Sequence, residues 1–235
     1  MNIIPDKNLF IVTSALNTGM GVISAEDRLQ QTIQGLQILH KVVPDSIVLL
    51  VEGSPNKVEE EKILAISDYV DFIADFSGDE TISMFAKNHK KSEAECALLL
   101  KTMLLLKQEP NMMRVMMSVR RIFKMSGRTD LLNSFDIHEH NQWGKYVFKK
   151  RIPTWLTDSR KNVATDLLIT RLYSLCPSLL DDYCRVLHEN INTIMNMRVD
   201  TEHAHFMNID KEKLTELDSI HCIGIVATNG DMEIY

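Results

Sequence analysis

Short runs of consecutive apolar residues alternate with longer stretches in which apolar positions recur every three or four, and this alternation organises the first half of the chain. Leu9-Phe10-Ile11-Val12-Thr13 is a run of the kind a strand shows when both its faces are covered. A polar, glycine-bearing loop follows at Asn17-Thr18-Gly19-Met20-Gly21. Ser24 then opens a helix with Asp27 in the capping-box position, and Leu29, Ile33, Leu36 and Val43 give that helix one apolar face. Pro44-Asp45 closes it, and Ile47–Val51 is a second buried strand stopping at Glu52-Gly53-Ser54. A third strand is expected over Tyr69–Ala74. Ser92 with Glu95 reads as another capping box, opening an apolar helix over Ala94–Leu106. Pro110 precedes a Met-rich helix, and a strand over 121–125 comes next. Strands alternating with helices of this length predict a parallel α/β sheet.

The second half is less regular. His138–Asn141 reads as an exposed loop, and Tyr146–Phe148 and Leu167–Ile169 as strands. Pro177 suits the first turn of a long helix carrying Leu180, Tyr183, Leu187, Ile191 and Ile194. The closing HCIGIVATNGDMEIY places two strand-like runs around Asn229-Gly230, a strong hairpin signal. One α/β domain over 1–235, with an irregular second half, is the expected organisation.

Composition narrows the classes of partner. A chain of 235 residues with 45% apolar residues builds a core without staples. Its net charge of -6 excludes a general nucleic-acid binder, whose footprint is broadly basic. Against that background Arg114, Arg120, Arg121, Lys124 and Arg128 fall between Asn111 and Thr129 with no acid among them. A local basic patch on an acidic body suits a small anionic ligand. Cys96, Cys176, Cys184 and Cys222 form no CxxC pair and read as reduced thiols. The opening MNIIPDKNLFIVTSAL carries an acid and a proline ahead of a short apolar run, unlike a signal peptide, and no apolar run reaches membrane-span length. A cytoplasmic location is the expectation.

Three groups of residues are candidates for chemistry. Gly19-Met20-Gly21-Val22-Ile23-Ser24 is a near miss to the dinucleotide fingerprint, and Glu52 could stand for the acid that binds a ribose. The spacing argues against an NAD(P)-dependent oxidoreductase, because Glu52 follows Gly21 at a greater distance than the roughly 20 residues that motif uses. In the basic segment, Arg114, Arg120 and Arg121 read as surface charges, whereas Lys124 and Arg128 flank a Ser126-Gly127 turn at a strand end. Arginine and lysine offer charge-assisted donors to phosphate there, and glycine lets backbone approach closely. His138-Glu139-His140 and Glu202-His203-Ala204-His205 match no zinc spacing and default to surface or cap histidines, although Glu202 and His203 qualify as acid/base candidates. Met112, Met113, Met116 and Met117 read as core filler. No GxSxG elbow or Walker loop is present.

Taken together, these blocks resemble nucleotide-sugar glycosyltransferases of the GT-A type, and most nearly the small glycosyltransferase-like proteins of phage and bacterial surface-polysaccharide loci. The resemblance is carried by FIVTSALN, by Arg28-x-x-Gln31-Thr32, by IVLLVEGS, by the KMSGR turn, and by TRLYS and TEHAHF ahead of GIVATNGDMEI. It implies a Rossmann-like, mostly parallel sheet flanked by helices, with a nucleotide-binding half over 1–130 and an acceptor-side half over 131–235. It also implies transfer of a sugar from a nucleotide-sugar donor to a glycan or other hydroxyl acceptor, in glycan or surface-polysaccharide synthesis. A non-catalytic nucleotide-binding member of the fold is the other reading it leaves open.

Position by position, the resemblance puts Thr13, Arg28 and Glu52 toward the nucleotide and Lys124, Ser126, Gly127 and Arg128 in the donor pocket. Glu202, with His203 beside it, falls near the acceptor as base, and Arg171 touches acceptor or donor phosphate. GT-A enzymes commonly hold manganese or magnesium with an Asp-x-Asp pair, and this chain has none. Asp130 is the lone acid near the matching place. Either Asp130 holds a metal alone or the basic residues neutralise the diphosphate themselves, and a metal-independent or weakly metal-dependent site is slightly favoured. Thr129 stands where an aromatic residue often follows the arginine, which leaves no stacking group at that turn.

Overall fold

The first apolar run forms strand β1 (Lys7–Ser14), buried on both faces in the computed structural model, which describes residues 7–17, 22–225 and 232–235. Side-chain alternation sends Leu9 and Ile11 into one core and Phe10 and Val12 into the other. The glycine loop at 19–21 and the Asn229-Gly230 turn lie outside the described residues. Helix α1 (Ala25–Val42) begins as expected, with Ser24 Oγ accepting from the Asp27 amide. Strand β2 (Ser46–Glu52) pairs parallel with β1. Next come α2 (Glu60–Ser67), β3 (Phe72–Asp75), α3 (Glu80–Lys87), α4 (Lys91–Gln108) and α5 (Pro110–Ser118). Strand β4 (Val119–Ser126) then enters the sheet parallel to β1, on the side away from β2, and β5 (Thr129–Leu131) follows.

The second half supplies β6 (Tyr146–Lys149), β7 (Ile152–Pro153), β8 (Asp166–Leu167) and β9 (Leu172–Leu175). Helices α6 (Leu180–Met197) and α7 (Thr201–Asn208) follow, then β10 (Leu214–Leu217), β11 (Cys222–Ile225) and β12 (Met232–Ile234). Among the described residues the main sheet has seven strands in the order β10-β6-β9-β4-β1-β2-β3, with β9 antiparallel to its neighbours. Strands β5, β11 and β12 form a small antiparallel sheet. Helix α1 covers one face of the main sheet through Leu29, Leu36 and Leu39, and α3, α4 and α6 cover the other. Each fully buried Leu or Phe contributes about 1.5–3 kcal/mol, so this double cover dominates stability. Phe10 and Phe123 stack at 4.5 Å across β1 and β4, fixing the strand pair that carries the site.

Several local expectations need correction. Ser92 does not cap α4, which starts one residue earlier without a side-chain cap; its hydroxyl accepts from the Thr201 amide at 3.3 Å and so serves the open N-terminus of α7. Met113 and Met117 are exposed, at 47% and 75%, because α5 buries only Met112 fully. The strand expected over Leu167–Ile169 ends at Leu167, where the Leu168 amide turns to the Glu202 carbonyl at 3.2 Å.

Arg121 is buried rather than surface. Its guanidinium donates to Ser174 Oγ at 2.9 Å and to the Gln142 carbonyl at 2.7 Å, and burial pushes its pKa down to about 10. His140 shares Ser174 Oγ at 2.9 Å and is also buried, so the loop at 138–141 is tied inward. Burial, helped by Arg121, holds His140 neutral with a pKa near 3.

Candidate active site

The chain leaves β1 through α1 toward β2 and reaches β4 on the other side, so the strand order reverses at β1. Connections diverge there and leave a crevice at the carboxyl ends of the strands. A cleft of about 730 Å³ occupies that place, within the range of small-ligand sites. Thr13, Ser14, Gly53 and Ser126–Arg128 line it from the strand ends, and Asp200–Glu202 line it from the N-terminus of α7.

The Ser126-Gly127 turn is held by two backbone bonds, Ser126 N–H to the Arg171 carbonyl at 2.9 Å and Gly127 N–H to the Thr13 carbonyl at 2.8 Å. A Cβ on Gly127 would sit 3.1 Å from the Thr13 carbonyl oxygen and 3.2 Å from Thr32 Oγ1. Packing of the turn against β1 and α1 thus leaves little room for any side chain at this position, which also lines the cleft.

Arg128, leaving that turn, lies in the cleft with Arg28 and Arg171. Burial first, and then the charges of Arg28 and Arg171, push the Arg128 pKa down to about 10. Arg28 is 6% exposed and donates from Nε to the Ile23 carbonyl at 3.2 Å. Its pKa is lowered by burial and partly restored by Glu52. Arg171 lies over the Tyr235 ring at 5.2 Å and donates to the Ile225 carbonyl at 3.3 Å, while its buried Nε–H meets no acceptor. Gly224 makes room for it: a Cβ there would fall 2.5 Å from Arg171 Cδ. Arg128 thus stands against the charges of two other guanidiniums in one crevice, and an anion with several oxygens would relieve that repulsion.

Carboxylates line the same cleft. Glu202, in the first turn of α7, accepts from Thr170 Oγ1 at 2.8 Å and keeps partial contact with solvent through the cleft. Burial, followed by the charges of Asp200 and Glu95, pushes its pKa up to about 7. Asp200 caps α7 and is committed: Oδ1 takes the His203 amide at 3.0 Å and faces His203 Nδ1 at 2.6 Å, and Oδ2 accepts from Trp155 Nε1 at 2.8 Å. Glu95 pairs with Lys124 at 2.7 Å. Burial alone raises the Glu95 carboxyl, but Lys124 and then Lys91 reverse this and hold it at about 2.

The structure thus brings Thr13, Arg28, Ser126, Gly127, Arg128, Arg171 and Glu202 to one cleft, and separates others from it. Lys124 is 1% exposed, and its ammonium is spent on Glu95, Ser126 Oγ and the Thr170 carbonyl. Its side chain points to the side of the sheet that α4 covers, where Glu95 offsets its charge. Glu52 is fully buried and accepts from Ser14 Oγ, the Leu16 amide and the Ser54 amide at 2.7 Å, so it ties β1 to β2 and presents no surface to a ribose or base. His203, also fully buried, is held between Asp200 and Thr154 Oγ1 at 2.7 Å. Asp130 accepts from Gln34 at 2.7 Å on the α1 side and is not part of the cleft lining.

These commitments decide whether the cleft fits manganese or magnesium. Hard divalent cations take several oxygen ligands. Asp200 and Glu95 already have partners and Asp130 lies elsewhere, which leaves Glu202 and Glu233, itself hydrogen-bonded by the Tyr235 hydroxyl, and no cluster of three acidic, histidine or cysteine ligands occurs among the described residues. The described residues by themselves do not make up a ligand set for such an ion.

Sequence reasoning missed Glu95, Asp200, Thr170, Trp155 and Tyr235. Asp200 was legible as an N-cap ahead of Thr201-Glu202-His203. Trp155 carried only the signal of an isolated aromatic in a polar stretch.

The fold has known counterparts. The mannosyltransferase Ktr4p from S. cerevisiae is similar at 9% identity and a TM-score of 0.52, over 90% of this chain and 68% of the yeast chain. Its complex with GDP is similar at 10% identity and a TM-score of 0.52, over 89% of this chain and 68% of that one. The likeness is one of fold, and the fold is GT-A-like. No family model and no curated protein matches the sequence. No helix among the described residues is long and apolar enough to cross a membrane.

Proposed function

We propose that the chain is a glycosyltransferase that moves a sugar from a nucleoside-diphosphate donor to a hydroxyl acceptor. One observation carries the reading: Arg128, repelled by Arg28 and Arg171, shares with them a strand-end cleft and a carboxyl whose pKa is raised to about 7. Donor sits toward β1 and β4, with its diphosphate against Arg28, Arg128 and Arg171. Acceptor sits toward α7. Glu202 takes the proton from the acceptor hydroxyl as that oxygen bonds to the anomeric carbon. The bond from the anomeric carbon to the diphosphate oxygen breaks, and its electron pair leaves on the diphosphate. The arginines, already in place, receive that charge without reorganising. A fold shared with a mannosyltransferase solved in complex with GDP supports the donor class.

The test is turnover of a panel of nucleotide sugars by wild type and Glu202→Gln. The variant is expected to bind donor normally and to lose transfer by roughly 10²–10⁴-fold, the usual worth of a general base. Undiminished transfer by Glu202→Gln would remove the base from this account.

A further inference from the structure

Trp155 is 56% exposed on the rim of the cleft, an unusual place for so large an apolar ring. It is nevertheless held firmly. Its Nε1–H donates to Asp200 at 2.8 Å, and its ring stands perpendicular to the His203 imidazole with centroids 5.4 Å apart. The preceding residue, Thr154, is pinned through Oγ1 to His203 at 2.7 Å and through its amide to the Thr165 carbonyl at 2.9 Å. His203 in turn rests on Asp200 at 2.6 Å. Asp200, His203, Thr154 and Trp155 thus form one chain of contacts that serves no step of the proposed transfer. Its effect is to fix an open indole beside the N-terminus of α7, the turn that carries Glu202.

We infer that Trp155 is the platform for the acceptor and that the acceptor is a pyranose sugar. The inference rests on the glycosyltransferase reading above and names its second substrate. A pyranose ring turns axial C–H bonds to one face, and these carry partial positive charge because each carbon bears oxygen. The face of an indole is the negative part of its quadrupole, so the two surfaces attract and exclude water together. Asp200 ties the indole nitrogen to the same turn that carries Glu202, so a sugar lying on the ring lies beside the turn that carries the base. No such stacking group exists at the donor turn, where Thr129 is fully buried.

The experiment exploits the chain's two tryptophans. In a Trp143→Phe background, which leaves Trp155 as the sole indole, a panel of methyl pyranosides and their disaccharides is titrated while emission is recorded, with sorbitol as an acyclic polyol control. At least one pyranoside is expected to give a saturable change in emission, and sorbitol none. Separately, Trp155→Ala is expected to raise the KM for the best sugar acceptor about tenfold, with Trp155→Phe, which keeps a face but not the N–H, staying within about threefold of wild type. A flat fluorescence response across the panel, or an acceptor KM unmoved by Trp155→Ala, would overturn the platform. Nucleotide-sugar binding, followed in parallel by thermal shift, separates the two readings. A pyranoside response without any donor binding keeps the platform and discards glycosyl transfer; donor binding without a pyranoside response does the reverse.

Discussion

Glu202 owes its poise to surroundings rather than to its own chemistry. Burial and the nearby charges of Asp200 and Glu95 raise its pKa to about 7, so at neutral pH it is a base near its most effective value. With Glu202 acting as the base, kcat/KM is expected to rise with pH to a plateau above about 7, and the titration should vanish in Glu202→Gln. Stability runs the other way. A carboxyl raised in the folded state costs nothing where both states are protonated, and costs most above its folded pKa, where only the unfolded chain solvates the charge well. Glu202→Gln is therefore expected to add on the order of 1–2 kcal/mol at about pH 8 and nothing near pH 4, measured by denaturant melts. Arg171 offers a second residue-scale test, because it lies on Gly224. Gly224→Ala should push the guanidinium aside and weaken nucleoside diphosphate binding roughly tenfold, as expected for one charge-assisted bond, while the melting temperature moves little. Arg128 was legible in the sequence because a cation beside Ser-Gly at a strand end has few structural uses. Lys124 looked equivalent but is not, since its partner Glu95 lies 29 residues away on α4 and no local pattern announces the pair.

At the scale of elements, the Lys124–Glu95 pair joins β4 to α4 along one wall of the cleft. Its ammonium is buried, and breaking such a pair is costlier than never having it. Lys124→Ala is expected to destabilise the fold by about 3 kcal/mol in chemical denaturation, because it leaves Glu95 uncompensated. It should also weaken diphosphate binding, by freeing a negative charge in the cleft wall. Lys124→Met combined with Glu95→Gln should recover most of the stability, and a double variant as weak as Lys124→Ala would refute the pair's role. The early elements were readable because β1, β2 and α1 carry full hydrophobic signatures with caps and breaks at their ends. Strand β9 was not, since Leu172-Tyr173-Ser174-Leu175 buries a serine that only Arg121 and His140 make acceptable. Helix α7 was harder to read beyond its Asp200 cap, because its buried His203 and His205 look polar until their partners are known.

For the whole molecule, the decisive feature is the reversal of strand order at β1, which opens a crevice where the ends of β1 and β4 part. The parallel sheet and its helices were predictable from alternation along the first half. Which cations face the crevice was not, because that depends on how β9, β11 and β12 close over Arg171 and on what α4 does to Lys124. The sequence pattern thus pointed to strand ends that line this crevice, and Thr13, Arg28, Ser126, Gly127, Arg128, Arg171 and Glu202 lie in its lining whereas Lys124, Glu52, His203 and Asp130 do not. The proposed function has this crevice hold a nucleoside diphosphate through its arginines, and its sharpest test is calorimetric titration of GDP and UDP into wild type and Arg128→Ala. It predicts saturable binding of at least one diphosphate, weakened roughly 10–100-fold in Arg128→Ala and falling as salt rises. Absence of binding for both nucleotides, or equal affinity in the variant, would contradict it.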